Sequence, residues 1–256
     1  MSISQKVNSV ILTIARMNPP TLGHVFLIEN MIKTAIHNNT TEILILLSAS
    51  QDSIKNPIIC KNKQKLLYTY GLNKAKQNVI EEMPQNKEFI ENINFDVICM
   101  DDTKYKSVNP DIKDNIFTIL RSIFKTKYQY PELGLKLSLV IGEDRKGNYD
   151  SIEKYVSNEN NPIIFEEPLV LTRPDGSESA TKIRQLANDD KEKFINYYMD
   201  NFNMPENEVI LLYNEIIQNT KVTGIKRSRQ SKISVKRTKK GGKTKKITKK
   251  RNSKKT

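Results

Sequence analysis

The chain has 256 residues, of which 28% are charged and 37% apolar, with a mean hydropathy of −0.56 and a formal net charge of +13. No run approaches the roughly 18 apolar residues of a membrane span, Met1 to Lys6 show no signal-peptide pattern, and Cys60 and Cys99 match no metal-ligand spacing, so both are expected as free thiols in a reducing compartment. Residues 221–256 hold 17 of the 42 Lys and Arg and none of the 29 Asp and Glu, which leaves 25 basic against 29 acidic groups before them. The expectation is a mildly acidic, soluble, cytoplasmic domain with a strongly basic tail, and only the tail calls for polyanion contact.

Residues 1–8 are polar. Val10 to Ala15 is an apolar β-branched run, read as a strand. Asn18-Pro19-Pro20-Thr21 is a turn, because two prolines fix φ and oppose both helix and sheet pairing. A helix follows from about His24 to Ile36, with Val25, Leu27, Ile28, Met31, Ile32 and Ala35 near helical spacing. Glu42 to Ser48 is a continuous apolar run that suits a parallel strand buried on both faces. A polar loop over 49–63 leads to a helix from Lys63 to Gln77. Lys61, Lys63 and Lys65 read first as its solvated side, with a phosphate contact among them as the alternative.

Further strands are expected at Phe95 to Met100, Leu137 to Ile141 and Ile163 to Glu166, with helices at Asp111 to Phe124 and near Tyr149 to Val156. One helix is expected from Thr181 to about Met199 and another over Glu206 to Gln218. The strand–helix alternation argues for a doubly wound parallel α/β sheet of Rossmann-like type, with C-terminal helices over it. Beyond Gly224 the apolar content is too low to offset the entropy of ordering, so the tail is expected to be disordered. The domain boundaries read as 8–190 for the sheet domain, 191–220 for a helical extension and 221–256 for the tail.

A strand that stops, turns and releases a helix collects backbone N–H groups at one point, and this is an anion site. Here it carries Arg16 and His24, and Gly23 lets a phosphate approach the backbone. The string Arg16-Met17-Asn18-Pro19-Pro20-Thr21-Leu22-Gly23-His24 resembles the R-F-x-P-x-(H/T)-x-G-H signature of the HxGH-type nucleotidylyltransferase superfamily. Downstream, Ser179-Ala180-Thr181-Lys182-Ile183-Arg184 resembles its S-x-T-x-I-R motif. Gly142-Glu143-Asp144 is similar to the (I/V)-G-x-D element after its fourth strand. The stretch from Asn56-Pro57-Ile58 to Leu66-Leu67 is similar to an Asn-Pro segment of some members. The departure is Thr21, where many members carry a histidine.

The resemblance implies nucleotidyl transfer, with ATP as the first candidate donor, Mg²⁺ as the metal and pyrophosphate as the leaving group. It gives His24 the stabilisation of the α- or β-phosphate in the transition state, assisted by Thr21, and places Arg184 on the β- and γ-phosphates. Arg16, Asn18, Gly23, Gly142, Asp144, Ser179 and Thr181 would line the nucleotide pocket. Taken alone, each residue has a plainer reading: Thr21 and Ser179 as helix caps, Asp144 as a turn residue, and Arg16 as a solvated arginine. Within the superfamily the combination is most like the nicotinamide-nucleotide adenylyltransferase branch, whose acceptor is nicotinamide mononucleotide. Many members of that branch stack the nicotinamide ring on a tryptophan. This chain has none, and Tyr149 is the aromatic that could stand in.

Three rivals stay open. A cytidylyltransferase or a phosphopantetheine-type adenylyltransferase would share the fold and differ in substrates. A nucleotide- or nucleic-acid-binding protein without turnover would use the basic tail for non-specific contact. Clusters such as Lys226-Arg227-Ser228-Arg229 would also serve as nuclear signals. The chain has no G-x-x-x-x-G-K-(S/T) and no G-x-G-x-x-G after the first strand, which argues against P-loop and dinucleotide-oxidoreductase chemistry.

Overall fold

The computed structural model describes residues 8–52, 54–107, 114–130, 134–145, 151, 152, 154, 156 and 163–220. Strands β1 (Asn8–Ala15), β2 (Glu42–Leu47), β3 (Asn94–Cys99), β4 (Leu135–Gly142), β5 (Ile164–Phe165) and β6 (Leu169–Leu171) form one sheet in the order β3-β2-β1-β4-β5. Every pairing is parallel. β5 and β6 both pair with β4, β5 beside Lys136 and Leu137 and β6 beside Val140 to Gly142, so the last ladder is broken into two short pieces. β6 was not expected from the sequence, where Leu169–Leu171 is too short to read as a strand.

The strands alternate between two cores. Val10, Leu12, Leu44, Leu46, Leu137 and Leu139 face one side with helix α5 (Ile116–Lys127). Ile11, Ile43, Ile45, Val97 and Val140 face the other with α1 (Leu22–His37) and α3 (Leu72–Glu82). A sheet with both faces covered explains the unbroken apolar runs of β1 and β2. At about 1.5–3 kcal/mol for each fully buried Leu, Ile or Val, these two layers dominate the stability of the domain. This is the doubly wound, Rossmann-like α/β arrangement, and its strand order reverses between β1 and β4. Ligands bind at the carboxyl ends of strands at such a reversal.

Local differences from the sequence reading have local causes. The helix after β2 starts at Cys60 and runs on as α2 (Cys60–Leu66), a π turn (Leu67–Gly71) and α3. A short α4 (Lys87–Glu91) precedes β3. α5 begins at Ile116 because Asn115 caps it, its side chain accepting the Phe117 and Thr118 N–H groups. Residues 108–113, where that helix was expected to begin, lie outside the described residues. The single helix expected over 181–199 is two, α6 (Ala180–Asp189) and α7 (Lys191–Phe202), because the Asp190 side chain accepts the Lys193 N–H and starts a new helix. Residues 206–220 form α8. Phe194, Tyr198, Val209, Leu212 and Ile216 of α7 and α8 join the same core as α1.

Cys60 and Cys99, expected as free thiols, are joined by a disulfide. The β2–β3 register sets Cys99 opposite Leu47 at the carboxyl edge of the sheet, and α2 begins over the same residue, with Cys60 Sγ 3.9 Å from the Leu47 carbonyl. The pairing is long-range and therefore not visible in sequence spacing. Lys63 also departs from expectation: it is fully buried while Lys61 and Lys65 are exposed. The basic tail and Tyr149 lie outside the described residues. Among the described residues no helix is long and apolar enough to cross a membrane.

Candidate active site

The carboxyl ends of β1 and β4 open into a cleft of about 1010 Å³. One wall is the turn after β1 and the start of α1. Arg16 follows the strand and is exposed in the cleft. The Asn18–Pro19 peptide is cis. Asn18 is buried, and its amide is engaged on both sides by Ile58, donating to the carbonyl at 2.9 Å and accepting the N–H at 3.1 Å. Asn18 thus ties the turn to the strap over residues 54–59. Two tyrosines of α7 hold the turn from behind: Tyr198 donates to the Pro20 carbonyl at 2.9 Å, and Tyr197 accepts the Leu22 N–H at 3.1 Å.

Thr21 is the N-cap of α1 and is buried. Its backbone N–H donates to His24 Nδ1 at 3.0 Å, and its hydroxyl lies 3.0 Å from the same nitrogen. With Nδ1 accepting, a neutral imidazole carries its proton on Nε2, as a donor. Burial, and then the charge of Arg173, pull the His24 pKa down to about 4, so the ring is neutral near pH 7. His24 is therefore both a helix-start residue satisfied by backbone and a fixed hydrogen-bond donor lining the cleft.

Gly23 has no positive φ, and a Cβ there would stand 3.6 Å or more from its neighbours, Arg173 Nε, Ser177 Oγ and Thr21 Oγ1. The protein's own packing does not demand glycine. Of the first-turn amides, Leu22 donates to Tyr197, and His24 and Val25 donate to the Thr21 carbonyl, whereas the Gly23 N–H has no partner among the described residues. A bare backbone with an open donor at a helix start suits an anion.

The second motif closes the opposite wall. Ser179 caps α6, its hydroxyl accepting the Lys182 N–H at 3.1 Å. The Arg184 guanidinium reaches across the cleft: Nη1 donates to the Asn18 carbonyl at 2.5 Å, Nε to the Ile54 carbonyl at 3.1 Å, and Nη2 to Thr181 Oγ1 at 3.1 Å. Burial and the neighbouring Arg16 charge lower its pKa, with Asp52 opposing. Gly142 ends β4 and lines the cleft. The backbone of Asp144 sits in the short turn Glu143–Arg145 after β4, and its side chain lies outside the described residues.

The structure thus brings Arg16, Gly23, His24, Gly142, Thr181 and Arg184 to one cleft, with Ser179 beside them. It also adds residues that the motifs did not name. Arg173, on the β6–α6 loop, lines the cleft beside Gly23. Lys63 lies beneath the floor, donating from Nζ to the Arg16 carbonyl at 3.1 Å and the Ser48 carbonyl at 2.5 Å. Burial pulls its pKa down to about 8, with the Asp101 charge opposing. Arg16, Lys55, Arg145, Arg173 and Arg184 line the cleft against a single described carboxylate, Glu143. Such a surplus of cations, with the open Gly23 N–H at a helix start, suits an anionic ligand.

Neither a protein-family model nor a curated protein matches this sequence. Among solved structures, the chain is similar to the crystal structure of a "Putative Nicotinate-nucleotide Adenylyltransferase from Vibrio parahaemolyticus", at 16% identity over 82% of this chain and 97% of that one, with a TM-score of 0.44.

Proposed function

We propose that this protein is a nucleotidylyltransferase that moves a nucleoside monophosphate, in the first instance AMP from ATP, onto a phosphate-bearing small molecule, with nicotinamide mononucleotide the leading acceptor. The observation that carries the reading is the convergence of Arg16, Arg184 and the Nε2–H of His24 on one cleft at the β1–β4 strand reversal. In the reaction, a phosphate oxygen of the acceptor forms a bond to the α-phosphorus. The bond from that phosphorus to the bridging oxygen breaks, and its electron pair leaves with pyrophosphate. No protein nucleophile is needed. The work is to hold two anions in line and to stabilise charge on the α-phosphate and the leaving group.

His24 suits that work because it is a fixed neutral donor, and its helix start places backbone N–H groups beside it. Arg16, exposed in the cleft, offers a planar fork for phosphate oxygens. Arg184 shapes the pocket and adds charge. Mg²⁺ would neutralise the triphosphate and be held mainly by its oxygens, with Glu143 as the described carboxylate within the cleft. Ser179, Thr181, Gly142 and Asp144 are assigned to the nucleotide side by their motifs.

The test is pyrophosphate release from ATP and, separately, CTP with Mg²⁺, across phosphate acceptors led by nicotinamide mononucleotide, with His24→Ala as the control. Release that is lost in His24→Ala supports the reading and names the substrates. Folded protein that releases no pyrophosphate with any pair contradicts it.

A second activity is proposed for the tail. The 17 basic residues of 221–256 follow α8 in the sequence, and its last described residue, Thr220, lines the cleft. They suit non-specific, salt-sensitive contact with nucleic acid or another polyanion. Deleting 221–256 should abolish that binding and leave turnover unchanged, and loss of turnover would contradict this division of labour.

A further inference from the structure

Arg173 places a cation beside the N-terminal end of a helix. It is exposed and has no carboxylate partner among the described residues. Its Nε lies 3.6 Å from where a Cβ of Gly23 would be, at the start of the 16-residue helix α1. A helix N-terminus carries partial positive charge, so a guanidinium there is unfavourable unless an anion joins them. The same first turn has no acidic residue and an unpartnered N–H at Gly23.

The position is held by the fold. β6 pairs with the end of β4, Leu171 opposite Gly142, which fixes the chain two residues before Arg173. After Arg173 the chain turns through Pro174 to Ser177, where both the N–H and the hydroxyl of Ser177 bond to the Pro174 carbonyl, at 3.2 and 2.9 Å. Gly176, with φ of +78°, permits that turn. Arg173 also feels His24 closely, since its charge helps to keep the imidazole neutral.

We propose that Arg173 is a further catalytic residue of the nucleotidyl-transfer site, clamping the donor triphosphate over the Gly23 N–H and meeting the charge that develops on the leaving pyrophosphate. This inference rests on the reading under Proposed function. The chemistry that recognises the ligand is a chain of phosphates lying between a planar guanidinium, a backbone N–H and an imidazole N–H. As the bond between the α-phosphorus and the bridging oxygen breaks, the electron pair leaves on an oxygen placed between Arg173 and His24. Arg184 stands across the cleft from Gly23, with three of its five N–H donors engaged by Asn18, Ile54 and Thr181.

The test uses the full chain, Arg173→Ala and Arg173→Lys, with inorganic tripolyphosphate and ATP as calorimetric ligands. Pyrophosphate release is measured alongside, and the His24 ring protons are titrated by NMR, which is practical with only two histidines in the chain. The expectation is that Arg173→Ala binds tripolyphosphate at least tenfold more weakly and loses at least tenfold in kcat at saturating ATP. Arg173→Lys should fall between, and His24 should titrate at higher pH in Arg173→Ala, which places the Arg173 charge beside the imidazole, while the loss of tripolyphosphate affinity is the change that a merely structural residue would not produce. Tripolyphosphate affinity and kcat within twofold of wild type in Arg173→Ala overturn the inference and leave the reaction class standing. Wild type that binds tripolyphosphate in an Arg173-dependent way but turns over no nucleotide keeps the clamp and removes the reaction. Wild type that binds neither ligand removes both.

Discussion

Arg184 and Asn18, 166 residues apart in sequence, are joined by a 2.5 Å hydrogen bond from the Arg184 guanidinium to the Asn18 carbonyl. The bond couples the two motifs that define the cleft. The same guanidinium holds Ile54 of the strap, which Asn18 holds at Ile58. Arg184→Lys keeps the charge and loses the fork. With hydrogen bonds to charged groups contributing about 1.5–3 kcal/mol each, and this group half-buried, Arg184→Lys is expected to destabilise the protein by roughly 1–3 kcal/mol. It should also weaken nucleotide binding tenfold or more. Urea unfolding and ATP calorimetry on the same variant check both, and unchanged values in both would make the bridge incidental.

His24 gives a pH signature. Its folded value of about 4 lies below its ordinary value of 6.5. Between those limits the unfolded chain takes up a proton that the folded chain refuses, so stability is full above pH 6.5 and falls as pH drops toward 4. At about 1.4 kcal/mol per pH unit the span amounts to roughly 3 kcal/mol. His24→Gln, which cannot titrate, should flatten that part of the profile. In wild type the bond from the Thr21 N–H to His24 Nδ1 should persist at pH 5.5, where an ordinary histidine would be mostly charged and its Nδ1 unable to accept. A wild-type His24 titrating near 6.5 by NMR would remove the basis for the fixed neutral donor.

How far the sequence revealed this site depended on how local each feature is. The start of α1 was readable because prolines, Thr21 and His24 act within a few residues of one another. The parallel sheet followed from unbroken apolar strands. Arg173 was not readable: nothing local sets an arginine of the Thr172-Arg173-Pro174 loop apart, and its place depends on the register of β6 on β4. Tyr197 and Tyr198 anchor the turn at Pro20 and Leu22, contacts more than 170 residues apart in sequence that no local pattern marks. Lys63 did carry a signal. On a helix with 3.6 residues per turn it points about 200° away from Lys61 and Lys65. If those two face water, Lys63 must face inward.

Lys63 therefore yields a prediction of its own. Its folded value of about 8 lies below the usual 10.5. Between those limits the unfolded chain binds more protons, so stability from this group rises with pH from about 8 to 10.5. Lys63→Met removes the slope but orphans the carbonyls of Arg16 and Ser48, each at a cost of about 1–3 kcal/mol. The expected result is a variant less stable at pH 7, with a gap to wild type that widens by up to about 3 kcal/mol toward pH 10. A gap independent of pH would mean that Lys63 titrates as an ordinary lysine.

Gly23 separates packing from ligand binding. The protein leaves at least 3.6 Å around a Cβ at this position, and the backbone needs no positive φ. Alanine is favoured over glycine in a helix by roughly 0.5–1 kcal/mol. Gly23→Ala is therefore expected to leave the melting midpoint unchanged or slightly higher. The added methyl would stand beside Arg173, Ser177 and Thr21, at the helix start over which the triphosphate is proposed to lie. ATP and tripolyphosphate affinity should then fall at least tenfold. A stable Gly23→Ala protein that binds both as wild type does would show that the phosphates approach elsewhere, and the assignment of the α1 N-terminus to the donor nucleotide would have to be given up.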